Sequence, residues 1–90
     1  MKIVINTCFG GFNISKEAEA LYKTITSIEA FPHEMQRDDP VLVKIVEDLG
    51  AEANGDYAKL KVVEIPDDVD WAIDEYDGKE WVAEKHRTWS

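Results

Sequence analysis

The residues best suited to chemistry in this 90-residue chain stand near its two ends. Close to the start, Phe9-Gly10-Gly11-Phe12 sets two phenyl rings around a glycine pair. Turns are normally polar, so this is an odd use of apolar area. Glycine has no Cβ, which lets the backbone bend freely or approach another object closely. The rings offer flat faces for packing or stacking. That object can be another segment of the chain, a second subunit, or a planar ligand such as a nucleobase. At the other end, Lys85-His86-Arg87-Thr88-Trp89 is a basic and aromatic run in an acidic chain. The two arginines, Arg37 and Arg87, are the natural groups for bidentate phosphate recognition. The competing reading is that each simply pairs with a nearby carboxylate. Phe9, Phe12, Trp71, Tyr76, Trp81 and Trp89 exceed what two thin helices need to cover. Aromatics combined with arginine compose a site that stacks a base and holds a phosphate, and equally a protein-interface hot spot.

Signals for covalent or metal chemistry are weak. The chain has no Walker-type phosphate loop, no Gly-x-Gly-x-x-Gly and no nucleophile elbow. Cys8 could act as a nucleophile with His33 or His86, but no spacing supports the pairing, and a lone cysteine after a buried strand reads as a small core residue. The two histidines and the cysteine include no short-spaced ligand pair. Asp67-Asp68-Val69-Asp70 lacks the further ligands and central glycine of a calcium loop. The expectation is a binding protein rather than an enzyme, with no cofactor and no metal.

Composition narrows the partners. Nineteen acidic against ten basic residues give a net charge of −9. That disfavours DNA, RNA and anionic membrane, while leaving room for one small anion in a local basic pocket. The length predicts a single domain over residues 1–90. A single cysteine fits a reducing cytoplasm, and the apolar run Ile3 to Ile5 is too short for a signal peptide or membrane span. So small a core makes oligomerisation the remaining common source of burial.

These residues need elements to position them. Lys2 to Asn6 reads as a strand, with Ile3, Val4 and Ile5 buried on both faces. Ser15 is a fitting N-cap for a helix running to about Ile28, with Ala18, Leu21, Tyr22, Ile25 and Ile28 on one face. A second helix starts at Asp39 with Pro40 in its first position and stops at Gly50. Tyr57 to Ile65 alternates as a strand. Val69 to Tyr76 and Lys79 to Lys85 flank Asp77-Gly78, which marks a two-residue hairpin turn. That register sets Ile73 opposite Val82, Asp74 opposite Trp81, and Glu75 opposite Glu80. The last is a like-charge pair, which a slightly different register, a nearby cation or plain solvation of two edge residues would each explain; solvation is the favoured reading. The order β-α-α-β-β-β predicts an α+β domain with two helices packed on one face of a mostly antiparallel sheet.

The opening Ile3-Val4-Ile5-Asn6-Thr7-Cys8-Phe9-Gly10-Gly11-Phe12 and the ending Trp81-Val82-Ala83-Glu84-Lys85-His86-Arg87-Thr88-Trp89 resemble a family of small phage and prophage proteins. The segments Arg37-Asp38-Asp39-Pro40-Val41-Leu42-Val43 and Ile65-Pro66-Asp67-Asp68-Val69 share the resemblance, which spans nearly the whole chain. The family is associated with the Thoeris anti-defence sponges. The resemblance implies a protein of the infected cell's cytoplasm that binds a cyclic ADP-ribose isomer, an alarm signal made by a TIR-domain enzyme, without cleaving it. It also implies cyclic dinucleotides and trinucleotides as ligands at separate sites, and homo-oligomers built from dimers with pockets near subunit interfaces. Under that reading Phe9 or Phe12 stacks the adenine and Gly10 and Gly11 permit close backbone approach. Arg37 and Arg87 hold phosphate oxygens with Lys85 assisting, and Trp71, Tyr76 or Trp89 closes the pocket from a neighbouring subunit. The chain is short between Ile28 and Arg37 beside that family, so the resemblance does not carry over a site built by a longer insertion there. Two readings from other classes stand beside it: an acidic phage protein that blocks a host protein, by imitating nucleic acid among other means, and a small nucleotide-acting enzyme.

Overall fold

A computed structural model describes residues 1–84, with the side chain of His33 outside that description. The elements are β1 (Lys2–Asn6), α1 (Lys16–Thr26), α2 (Pro40–Leu49), β2 (Leu60–Glu64), β3 (Trp71–Tyr76) and β4 (Lys79–Glu84), with short 3-10 turns at Pro32–Glu34 and Gly50–Ala53. This is the α+β order expected from the residues.

Local chemistry sets the helix ends. The Ser15 hydroxyl accepts from the Ala18 N–H at 3.1 Å, filling one of the donors a helix start leaves open. α1 ends at Ser27, in the left-handed region at φ 61°, and the Ile28 N–H donates to the Thr26 hydroxyl at 3.1 Å instead of continuing the helix. The helix therefore stops short of Ile28. α2 opens on Asp39, whose carboxylate accepts from the Val41 N–H at 2.9 Å, and it closes on Gly50 at φ 57°.

The strands form two antiparallel ribbons, β1–β2 and β3–β4, rather than one sheet. In the first, Val4 lies opposite Val62 and Lys2 opposite Glu64. β2 is shorter than the alternation suggests, because Tyr57 sits at φ 60° and the Ala58 N–H turns back to the Gly55 carbonyl. In the second ribbon Ile73 faces Val82, Asp74 faces Trp81 and Glu75 faces Glu80, the expected register.

What keeps β4 from extending the first ribbon lies along β1. Alternate N–H groups of an antiparallel strand point away from its partner. On β1, the Val4 N–H donates to the Arg37 carbonyl at 2.8 Å and the Asn6 N–H to the Glu80 carboxylate at 2.8 Å. A loop carbonyl and a side chain fill the positions that a third strand would have taken.

The core gathers Val4, Ile14, Ala18, Leu42, Ile45 and Val46. Ile3, Val4 and Ile5 are at most 5% exposed, so β1 is covered on both faces. The helices meet the first ribbon unequally: α2 packs on both β1 and β2, whereas α1 leans on α2 and on the turn after it. The apolar stripe of α1 is accordingly covered only in its first half. Ala18 is buried, but Ile25 and Ile28 are 50% and 61% exposed.

Candidate functional site: the Phe9 loop and the hairpin turn

The loop after β1 is organised by Asn6, the last residue of the strand, which is fully buried. Its Nδ2 donates to the Cys8 carbonyl at 2.6 Å and to the Gly78 carbonyl at 2.8 Å. Its Oδ1 accepts from the Cys8 N–H at 3.2 Å and the Lys59 N–H at 2.8 Å. The Gly78 turn consequently lies flat on the Phe9–Gly11 backbone. A Cβ on Gly78 would come within 2.6 Å of the Gly11 nitrogen and 2.7 Å of the Phe9 oxygen.

Phe9 projects from this arrangement and is 62% exposed. The Lys79 ammonium, on the residue after the turn, stands 5.7 Å from the centre of its ring, within cation–π range. Tyr76 pairs with Lys79 across the ribbon and is exposed, as is Tyr57. A Cβ on Gly10 would overlap the Tyr57 carbonyl, so this glycine serves a close approach within the chain itself. The result is an exposed ring with a cation over one face.

Phe12 is placed differently. It packs against the core, and the Arg37 guanidinium lies 3.7 Å from the centre of its ring. Of the two phenylalanines, Phe9 therefore keeps a ring face open. Arg37 itself is engaged. Its guanidinium pairs with both Glu80 carboxylate oxygens, at 2.5 and 2.9 Å. The carboxylate-pairing alternative left open for Arg37 is the one observed. Glu80 is 7% exposed and held by Arg37 and the Asn6 N–H, so reading it as a solvated edge residue is corrected. Glu75, opposite it, is exposed, which removes the like-charge clash.

Trp71 stands at the far end of β3 from Tyr76, about 17 Å away at ~3.3 Å per residue. It lines a 460 Å³ hollow with Met1, Asp67, Val69 and Asp70, in which the N-terminal ammonium pairs with the Asp67 carboxylate. Within one chain, Trp71 and the Phe9 loop are not brought together. Lys85, His86, Arg87 and Trp89 lie outside the described residues, as does the His33 side chain.

Three residues of this arrangement are not evident from the sequence as site residues. Lys79 carried a signal, being the cation next to the predicted turn. Tyr57 and Asn6 carried none beyond proximity to a glycine and a strand end. Among the described residues no three His, Cys, Asp or Glu side chains gather closely enough to hold a metal ion, and no helix is long and apolar enough to cross a membrane. Comparison of the chain with protein-family profiles, with curated proteins and with solved structures returns no match.

Proposed function

We propose that this protein is a phage anti-defence sponge that binds a cyclic ADP-ribose isomer without cleaving it and so withholds the signal of Thoeris-type immunity. The observation that carries this reading is the exposed Phe9 ring on its glycine loop, with the Lys79 ammonium over one face. Apolar area of this kind fills no core, yet Asn6 and Gly78 hold it in place. An adenine stacks on the open face of Phe9, and Lys79 answers the pyrophosphate charge despite the acidic surface. Arg37 supports the site from behind, through Phe12 and Glu80. Arg87 and Lys85 remain the further cations that the resemblance implies, and Tyr76 or Trp71 of a neighbouring copy closes the pocket. Sequestration needs affinity and no turnover, which suits a site made of a ring, a cation and backbone.

The test is calorimetric titration with the cyclic ADP-ribose isomer, followed by heating the complex and analysing what is released. Binding with the ligand recovered intact supports the sponge. Altered ligand makes the protein an enzyme, and absence of binding favours the host-blocking alternative. Phe9→Ala should weaken binding about tenfold or more, since one stacked base contributes about 1–3 kcal/mol.

A further inference from the structure

We infer that Asn6 is a positioning residue of the nucleotide site: its side-chain amide locks the Phe9 loop to the Gly78–Lys79 turn and so presets the Phe9 ring and the Lys79 ammonium as a pair. The functional half of this inference rests on the reading proposed above; the geometric half rests on hydrogen bonds alone.

A primary amide has two donor hydrogens and two main acceptor directions. Asn6 uses all four, on three separate segments: the residues just after β1, the turn between β3 and β4, and the residue before β2. Two of those segments carry the groups that would face a ligand, Phe9 and Lys79. No other side chain reproduces the set. An ionised aspartate has the same shape but no donor, and it would set a carboxylate against the Cys8 and Gly78 carbonyls. Alanine would leave those carbonyls and two N–H groups without partners, and unsatisfied buried polar groups are costly.

The hairpin also has an anchor that does not depend on this side chain. Glu80 accepts from the backbone N–H of Asn6, which every substitution except proline retains, and it pairs with Arg37. Changing Asn6 should therefore leave the hairpin docked while the turn slips against the Phe9 loop. That separates positioning from folding.

The ligand-free readout is the upfield ring-current shift that Phe9 imposes on the Lys79 side chain, measured by NMR. In Asn6→Asp at neutral pH this shift should collapse, while the methyl signals of Ile3, Leu42 and Ile45 keep their places. Affinity for the cyclic ADP-ribose isomer, titrated well below the melting temperature, should fall about tenfold, the worth of one stacked base. Acidification that protonates the new carboxyl supplies one donor and should restore part of the Lys79 shift, with no such recovery in the native protein. A Lys79 shift unchanged in Asn6→Asp overturns the inference whether or not nucleotide binds. A lost shift with undiminished affinity overturns its functional half. A native protein that binds no nucleotide overturns the proposed function, and with it the role assigned to Asn6, even if the shift behaves as expected. Should Asn6→Asp fail to fold, Gly78→Ala wedges the turn off the loop from the other side; a preserved Lys79 shift in that variant overturns the inference equally.

Discussion

A carboxylate that is 7% exposed is tolerated only if its oxygens are filled, and Glu80 fills both. Removing one partner of such a pair strands the other, which typically costs about 3–5 kcal/mol, against a domain stability of about 5–15 kcal/mol. Glu80→Ala should therefore lower the urea midpoint sharply, and Glu80→Gln, which keeps the shape and an acceptor, by less. A midpoint unchanged in Glu80→Ala would show that the pair does not hold the hairpin. A weaker polar contact joins the helices, where the Tyr22 hydroxyl donates to the Asp39 carboxylate at 2.7 Å. That hydrogen bond, with some burial, raises the tyrosine above its usual value of 10.0. Raising the pKa favours the neutral form in the folded state. The contribution is therefore complete below pH 10.0 and lost as pH climbs through the raised value. Tyr22→Phe should lower stability by about 1 kcal/mol at neutral pH and flatten this alkaline decline; an identical alkaline limb in both proteins would remove the contact from the account.

At the scale of elements, what is local in sequence is legible and what is distant is not. Ser15, Asp39, Pro40 and Gly50 mark helix ends through groups within a few residues, and Asp77-Gly78 fixes a whole hairpin register. The partnership of Arg37 and Glu80 spans 43 positions, and nothing near either residue announces it. The split into two ribbons is hidden for the same reason, since it depends on a side chain and a loop carbonyl occupying the edge of β1. In the site, the glycine pair and Phe9 are visible as an anomaly of composition, whereas Asn6 looks like any strand-ending residue. The stripe on α1 misleads because helical period reports which residues share a face and not how far the neighbouring helix reaches. This has a measurable consequence. Ile25→Lys, on the uncovered half, should change stability by no more than about 0.5 kcal/mol, while Leu42→Ala in the core should cost about 2–5 kcal/mol by thermal unfolding. A large loss at Ile25 would mean that this face is covered in solution.

The whole molecule leaves its second ribbon thinly supported. Two strands alone are marginal in water, and among the described residues no strand pairs with the outer edge of β3. Tyr76 and Trp81 lie on one face of this ribbon, diagonal across the register, and are 67% and 46% exposed. Diagonal neighbours lie about 7–8 Å apart, within reach of aromatic side chains, so together they form a patch suited to a second copy. The homo-oligomer included in the proposed function would cover it. Each chain carries a net charge of −9, so two copies repel at long range while their aromatic faces attract at contact. Added salt screens the repulsion and leaves the apolar contact in place. Light scattering should accordingly find a multiple of 10.2 kDa, with association tightening as salt rises. Trp81→Glu would add a carboxylate opposite Asp74 and shift the protein toward 10.2 kDa, most strongly at low salt. A native protein that stays at 10.2 kDa across the salt range would leave each pocket to a single chain. Trp71, so far along β3 from the Phe9 loop, would then have no part in binding.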